Sequence, residues 1–337
     1  MTWDGRIRAD ARQLPLASES VQVVVTSPPY WKLRKYDVEG PQIGQEPTIE
    51  AYLDSIRAVF AEVWRVLRPD GTLWVNMGDS YANGTNDPVS FRRDRAEINP
   101  VGRRPSSGLK PKDLIGMPWR VAFALQEQGW YLRQEIIWHK TQAMPESVKD
   151  RPTRAHEQLF LLSKSLKYYY DAEAIKEPAS PDTHARYARG RSKTHKYADG
   201  GPGGQTIART FRHMGMNHER VPGVNPKAAE AGSGIRNNVS FSAAVKDVVE
   251  MANKRSVWSF ETAGYPEAHY ACFPPNLVEP CIRAGSRVGD ICLDPFFGSG
   301  TVGMVAEQLG RRWIGIDLGY QDLQKKRLEN VQKEIFV

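Results

Sequence analysis

The sequence is poor in cysteine and has no long apolar run. Only three of its 337 residues are cysteine, and Cys272, Cys281 and Cys292 are scattered among apolar or proline neighbours. This usage predicts buried thiols in a reducing cytosol and argues against disulfides or a zinc site. No stretch of 18 apolar residues occurs, and the first ten residues do not resemble a signal peptide. We therefore expect a cytoplasmic protein with no membrane partner and no metal.

The positive charge is concentrated in one part of the chain. The formal net charge is +7, and residues 176–255 hold fourteen basic and seven acidic residues, which accounts for the whole excess. Such a localised excess predicts contacts with the phosphates of a nucleic acid. The alternative is a disordered surface insertion. Four histidines lie in this stretch without a Cys/His pair spacing, so they are poor zinc ligands.

Hydrophobic periodicity predicts a large α/β domain interrupted by that basic stretch. We expect residues 1–175 and 256–337 to form one domain, with 176–255 inserted into it. Strands are expected at 5–9, 21–25, 72–77, 134–139, 158–163, 288–293 and 313–316. Helices are expected at 49–67, 114–129, 275–284, 301–309 and 320–335. Pro69-Asp70-Gly71 predicts a turn before the third strand.

A second irregular stretch, residues 82–112, contains seven arginines and lysines with many glycines and prolines. A loop of this length in a compact domain is usually functional or disordered. We interpret it as a loop that faces the nucleic acid, with a solvated linker as the alternative.

The stretch Thr26-Ser27-Pro28-Pro29-Tyr30-Trp31 follows the buried strand at 21–25. Two prolines end the strand and stiffen the turn, which brings a hydroxyl, a fixed carbonyl and an aromatic ring to the carboxyl end of a strand. Ligands bind at such ends in open α/β sheets. Taken alone, the same residues could form an ordinary strand-end turn.

A second motif, Asp294-Pro295-Phe296-Phe297-Gly298-Ser299-Gly300-Thr301, lies between a strand and a helix, and the next strand ends at Asp317. Glycines let the backbone approach a ligand, a helix N-terminus offers free amides, and an acid at the next strand end can bind ribose hydroxyls. The spacing is not G-x-G-x-x-G, which argues against NAD. Asp317 could instead cap a helix or a turn.

Together the two motifs resemble those of DNA amino-methyltransferases, which use S-adenosylmethionine. The resemblance implies a methyltransferase-type mixed α/β sheet that methylates a base flipped out of duplex DNA. It implies that Ser27 and the Pro28 carbonyl grip the amine hydrogens, Pro29 adds rigidity, and Tyr30 stacks on the base. The implied cofactor residues are Asp10, Phe273, Asp294, Pro295, Phe296, Gly298, Ser299, Gly300, Thr301 and Asp317.

The order of the motifs resembles the β class of this family, in which the catalytic half precedes the cofactor half. A third strand is needed beside the one ending in Asp317, and residues 6–9 at the N-terminus can supply it. The fold is therefore expected to be circularly permuted, with Asp10 placed near the cofactor adenine or, alternatively, acting as a simple turn acid. The resemblance also implies a homodimer and a possible partner restriction endonuclease.

Several residues are candidates for DNA contact. Trp31 follows the catalytic turn, and the segment from Trp138 to Glu157 resembles the family's approach to the recognition region. His269 to Leu277 resembles its methionine-binding segment, although Phe273 and Asn276 could simply pack and cap. The predicted DNA-binding residues are Trp31, Lys140, Arg154, Arg189, Arg191 and Lys193.

Ser27 in the first position of the tetrapeptide is the family's usual sign of cytosine N4 methylation, and adenine N6 methylation is the alternative. More remote alternatives are a non-catalytic DNA-binding regulator and methylation of RNA or protein glutamine. Pro280-Cys281 superficially resembles the motif of cytosine C5 methyltransferases, but its neighbours do not match, so Cys281 is expected to be structural.

Overall fold

The computed structural model describes residues 5–33, 42–82, 108–143, 145–179, 251–261 and 274–335. No helix among these residues is long and apolar enough to cross a membrane. Within the same ranges, no three His, Cys, Asp or Glu side chains are grouped so as to hold a metal ion.

Strands and helices alternate along most of the described chain. The strands are β1 (Arg6–Arg8), β2 (Val21–Thr26), β3 (Leu67–Met77), β4 (Tyr131–Lys140), β5 (His156–Ser163), β6 (Glu177–Pro178), β7 (Met251–Ala252), β8 (Val257–Phe260), β9 (Ile291–Asp294) and β10 (Arg312–Asp317). The helices are α1 (Ile49–Val66), α2 (Met117–Glu127), α3 (Pro275–Gly285), α4 (Thr301–Gln308) and α5 (Gln321–Ile335), with a short 3-10 turn at Glu173–Ile175.

Eight strands form one mixed sheet in the order β1-β10-β9-β2-β3-β5-β4-β8. The first five run parallel to one another, β5 is antiparallel to both β3 and β4, and β8 is parallel to β4. The carboxyl ends of the parallel strands therefore lie at the same edge as the beginning of β5 and the end of β4. This edge carries both sequence motifs.

Helices cover both faces of the sheet. On β2 the alternation is plain, because Val24 joins the apolar cluster of α1 and α2, whereas Val23 and Val25 join that of α3 and α4. All six residues of β2 are buried, as expected for a central parallel strand. The predicted α/β class is therefore confirmed.

Helix α1 begins where the sequence predicts. The Thr48 hydroxyl accepts a hydrogen bond from the Ala51 amide at 3.1 Å, which satisfies one of the free donors of the first turn. Ile49, Ile56 and Phe60 then recur at helical spacing and are buried against the sheet.

Three local predictions were wrong. The strand expected at 288–293 is Ile291–Asp294. Pro69-Asp70-Gly71 is not a turn before β3 but an irregularity inside it, where the pairing jumps from Val21–Leu67 to Val23–Thr72. Helix α2 begins at Met117, not at 114, because Gly116 has a left-handed φ of 71° and Pro118 follows at the start of the helix.

The N-terminal strand lies where the sequence placed it. Strand β1 pairs in parallel with β10, and Arg8 lies opposite Asp317. The first and last strands of the sheet along the chain are thus neighbours, with Asp10 just beyond the end of β1.

Contacts divide the chain into two units, one comprising residues 1–175 and 255–337 and the other 176–254. In the second unit the structure describes 176–179 and 251–254, where β6 and β7 form an antiparallel pair. The recognition role assigned to residues 176–255, and the roles of the flanking halves, stay predictions.

Gly315 on β10 provides a test of packing beneath the glycine loop. A Cβ at this position would overlap the ring of Phe297, which stacks on Trp313 with ring centroids 5.3 Å apart. We expect Gly315→Ala to lower the free energy of unfolding by about 1–3 kcal/mol, measured by urea denaturation.

The double variant Gly315→Ala with Phe297→Ala supplies the control. It removes the ring atoms that the new methyl group would meet, so the two changes together should cost less than the sum of their separate costs. Equal stability of Gly315→Ala and the parent chain would contradict this account of the packing.

Candidate active site

The two sequence motifs begin at neighbouring strand ends. Strands β2 and β9 pair in parallel, with Val23 opposite Cys292 and Val24 opposite Leu293. At their ends, the buried Thr26 hydroxyl donates a hydrogen bond of 2.7 Å to Asp294 Oδ1. The proline turn and the glycine loop therefore leave the sheet side by side, which allows them to share one site.

The proline turn is anchored from helix α1. The Tyr52 hydroxyl, on a side chain buried in α1, donates to the Pro29 carbonyl at 2.9 Å. Pro28 is buried, and Ser27 and Pro29 are partly exposed. The turn is thus held by its prolines and by one hydrogen bond to the neighbouring layer, which favours a preorganised site.

Ser27 and Tyr30 meet at the amide of Asn76. Asn76 lies on β3, and its Nδ2 donates to the Gln158 carbonyl at 3.2 Å, so that its Oδ1 faces the turn. That oxygen lies 3.4 Å from Ser27 Oγ and 3.2 Å from the Tyr30 hydroxyl. Because Asn76 can accept the Ser27 hydrogen, the lone pairs of Ser27 are free to accept from a substrate.

The Tyr30 hydroxyl also reaches a carboxylate. It donates to Glu157 Oε2 at 2.9 Å, while Lys140 Nζ lies 2.5 Å from Glu157 Oε1. Burial, and next the negative charge of Glu157, raise the pKa of Tyr30 well above 10. Its ring packs on Gly78, where an added Cβ would come within 2.6 Å of Tyr30 Cε2.

Asp79 organises the adjoining helix. It accepts from the amides of Gly116 and Met117, at 3.1 and 3.0 Å, and so caps α2, whose own N-cap residue is glycine. Arg154 lies 3.6 Å from the same carboxylate. Asp79 is therefore a structural residue at the end of β3.

The glycine loop needs its glycines. Gly298 and Gly300 have φ values of 50° and 84°, in the left-handed region that other residues rarely adopt. The Gly298 amide donates to Asp317 Oδ2 at 2.7 Å, and the Gly319 amide donates to Oδ1 at 2.9 Å. Burial raises the pKa of Asp317, against the lowering effect of these amides.

Helix α5 supports the loop from its other side. Gln324 Nε2 donates to the Gly298 carbonyl at 2.9 Å, and Arg327 donates to the Ser299 hydroxyl at 2.6 Å. Thr301 is the first residue of α4, so the loop leads directly into a helix N-terminus. The structure assigns the two adjacent phenylalanines different places, because Phe297 is buried in the core and Phe296 is partly exposed.

Asp294 is a buried carboxylate with one unpartnered oxygen. Its Oδ1 accepts from Thr26 and from the Phe296 amide, whereas its buried Oδ2 has no hydrogen-bond partner among the described residues. Burial raises the pKa of Asp294 to about 7, and the two hydrogen bonds oppose that rise. An orphaned carboxylate oxygen beside a glycine loop fits a ligand with a cationic group, such as an ammonium or a sulfonium.

The remaining predicted residues have definite places. Pro295 is buried at the start of the glycine loop. Asp10 is held by Arg12, whose guanidinium lies 2.6 Å from Asp10 Oδ2 and lowers the pKa of that carboxyl. Asn276 lies in the first turn of α3.

Three residues proposed to bind DNA have partners inside the fold. Trp31 is only 6% exposed and donates to the Glu46 carbonyl at 3.0 Å. Lys140 pairs with Glu157, and Arg154 bonds to Gln158 and pairs with Asp79. The geometry favours structural roles for all three, and their contact with DNA stays a prediction. Phe273, Arg189, Arg191 and Lys193 lie outside the described residues.

Sequence reasoning missed Asn76, Asp79 and Glu157. Asn76 and Asp79 flank the end of a strand that neighbours the proline turn, so strand-end position was a usable signal for both. Glu157 gave no such signal, because it lies near the start of an antiparallel strand and its place is set by pairing with β4, opposite Trp138.

The family model described as DNA methylase, of the N6/N4 methyltransferase type, matches residues 21–325. Among curated proteins, the chain is 42% identical to the Type II methyltransferase M.XycI of Xanthomonas campestris pv. cyanopsidis, covering 99% of this chain and 89% of that one. It is 40% identical to M.Cfr9I of Citrobacter freundii, covering 97% and 87%, and 42% identical to M.SmaI of Serratia marcescens, covering 96% and 89%.

Two solved structures share the fold. One is described as PvuII DNA methyltransferase (cytosine-N4-specific), with a TM-score of 0.56 and 17% identity over 97% of this chain and 89% of that one. The other is TTHA0409 of Thermus thermophilus, a putative DNA modification methylase complexed with S-adenosyl-L-methionine, with a TM-score of 0.51 and 22% identity over 97% and 93%.

Asp294 makes stability depend on pH in a defined direction. The pKa of Asp294 is about 7 in the folded chain and 3.8 ordinarily. Between pH 4 and pH 7 the folded chain therefore holds a proton on Asp294 that the unfolded chain has lost. The Asp294 contribution to the free energy of unfolding therefore falls as pH rises from about 4 to about 7, by at most about 1.4 kcal/mol per pH unit. Asp294→Asn should lack this contribution.

The measurement is urea denaturation of the parent chain and Asp294→Asn at several pH values from 4 to 8. The stability of the variant relative to the parent should rise with pH and level off above 7. Asp322→Asn, on the first turn of α5, is the control and should show no such trend. Parallel curves for Asp294→Asn and the parent would refute the assignment.

Proposed function

Because the chain belongs to the DNA methylase family, we propose that it transfers a methyl group to the exocyclic amine of a base in duplex DNA, with cytosine N4 as the target. The observation that carries this proposal is the adjacency of the proline turn and the glycine loop, joined by the Thr26–Asp294 hydrogen bond. Acceptors for an amine and a carboxylate oxygen suited to a cationic cofactor then lie at one sheet edge.

S-adenosylmethionine, when bound, supplies an electrophilic methyl group on a cationic sulfur. The residues present fit this cofactor. Asp317 can accept from ribose hydroxyls with the lone pairs that Gly298 and Gly319 leave open. Asp294 Oδ2 offers a buried, unpartnered carboxylate oxygen to a cationic group.

The proline turn handles the target amine. An aromatic exocyclic amine is a poor nucleophile because its lone pair is delocalised into the ring. Ser27 Oγ and the Pro28 carbonyl accept its two hydrogens, which draws the nitrogen toward a tetrahedral shape and exposes the lone pair. Tyr30, fixed through its hydroxyl by Glu157 and Asn76, presents its ring to a flipped base.

The choice of cytosine rests on Ser27 in the first position of the tetrapeptide, and adenine N6 is the alternative. DNA contact is assigned to the basic stretch 176–255, including Arg189, Arg191 and Lys193, with its excess of seven positive charges. The β-class, circularly permuted order belongs to the same proposal and is supported by the pairing of β1 with β10.

The relatives' designation as Type II methyltransferases supports a pairing with a restriction endonuclease. A homodimer is proposed from the resemblance to the β class alone.

The central test expresses the chain in a host that lacks DNA methylases and digests the host DNA to nucleosides for mass spectrometry. N4-methylcytosine should appear, and sequencing that detects modified bases should return its sequence context. Ser27→Ala should lower the transfer rate about 10²-fold, because one preorganised acceptor is lost.

Ser20→Ala is the control, since that hydroxyl bonds to the Ala17 carbonyl in the turn before β2, away from the site. N6-methyladenine alone would overturn the choice of cytosine, and no methylated base at all would overturn the proposed function.

Asp317 gives a separate test of the cofactor site. Asp317→Ala removes two hydrogen-bond acceptors for a ribose, so the dissociation constant for S-adenosylmethionine should rise about 10²-fold by calorimetry. Asp322→Ala, on the neighbouring helix, should leave the constant unchanged. Unaltered binding by Asp317→Ala would remove this residue from the site.

A further inference from the structure

The hydrogen bonds around Ser27 form a directed chain that ends at a carboxylate. Ser27 Oγ can donate to the Tyr30 hydroxyl, 3.4 Å away, and Tyr30 donates to Glu157 Oε2 at 2.9 Å. Hydrogen bonds of catalytic groups are often long before substrate binds and tighten in the complex. Each donor in this chain thus faces the next acceptor, from the amine-binding turn to Glu157.

Glu157 is the carboxylate at this site whose role the fold leaves unexplained. Asp79 is occupied by the amides of α2, and Asp294 lies in the cofactor half. Asn76 contacts both hydroxyls, but a neutral amide is a poor base, and its Nδ2 is committed to the Gln158 carbonyl. The Glu157 side chain is 15% exposed, so it lies inside the site yet still reaches solvent.

We propose that Glu157 is the terminal acceptor of the proton that the target amine must lose, relayed through Ser27 and Tyr30; this rests on the proposed function. Methylation leaves the amine nitrogen with one proton too many. That N–H bond breaks with its electron pair returning to nitrogen, and Ser27 Oγ takes the proton.

The Ser27 hydrogen then passes to Tyr30, and the Tyr30 hydrogen passes to Glu157 Oε2. Both hydroxyls end as they began, and the carboxylate becomes a neutral acid that later releases its proton to solvent. The raised pKa of Tyr30 is consistent with a hydroxyl that hands on a proton without ionising.

Lys140 positions the acceptor. Its ammonium holds Glu157 Oε1, which directs Oε2 at Tyr30, and it packs over the Trp138 ring at 4.8 Å. His156, the ionisable residue next to Glu157 along the strand, has its pKa lowered by burial and next by the positive charge of Arg154.

The experiment measures single-turnover methyl transfer at neutral pH, with saturating S-adenosylmethionine and an oligonucleotide carrying the site mapped in vivo. Glu157→Gln should be about 10²-fold slower than the parent chain, with the dissociation constants for cofactor and DNA unchanged. Glu157→Asp, which keeps a carboxylate, should restore part of the rate.

Two further variants separate a proton relay from a packing effect. Tyr30→Phe keeps the stacking ring and loses the relay, so its rate should fall as in Glu157→Gln, and the double variant should be no slower than the slower single one. Lys140→Met, which loses the ammonium that holds Glu157 Oε1, should lower the rate by less than Glu157→Gln does. Glu135→Gln, on the same strand as Lys140, is the control and should match the parent chain.

Base flipping, followed by 2-aminopurine fluorescence in the same oligonucleotide, should be normal in all these variants. A full rate in Glu157→Gln would overturn the relay, as would loss of flipping in that variant. If the parent chain transfers no methyl group, the proposed function fails. If the parent chain is active and Glu157→Gln is equally active, only the relay fails.

Discussion

The junction of β2 with β9 is the constraint on which the site depends. It joins parts of the chain 268 residues apart through a short stretch of parallel pairing and one buried hydrogen bond, from Thr26 to Asp294. Each partner alone would be destabilising, because a buried hydroxyl and a buried carboxylate both need hydrogen bonds. Their pairing fixes the distance between the proline turn and the glycine loop.

The glycine loop is then held in shape from three sides. Asp317 receives two of its neighbouring amides, α5 supplies Gln324 and Arg327, and Phe297 fills the space left by Gly315. The proline turn is fixed from α1 and from β3. Both halves of the site are therefore rigid before any ligand arrives, which is the condition for electrostatic preorganisation.

The sequence predicts the structure well at positions where local chemistry alone decides which residue type is suitable. Thr48 as a helix cap, the apolar run of β2 and the glycine loop before Thr301 were each predicted correctly, because local chemistry decides them. The placement of β1 beside β10 followed from the need for a third strand. Glu157 could not be predicted, since its place depends on the antiparallel pairing of β5 with β4. The prediction of a turn at Pro69-Asp70-Gly71 was wrong because pairing with β2 makes these residues part of strand β3.

The β2–β9 junction also dictates when, during synthesis, the fold can close. Strand β2 leaves the ribosome early, but its partner β9 follows only after some 270 further residues, roughly 15–50 s later at usual elongation rates. Until then, one edge of a fully buried central strand is unpaired, a form prone to association with other chains. The nascent polypeptide therefore passes through a long interval without an assembled cofactor pocket, and its two motifs can meet only once β9 has emerged.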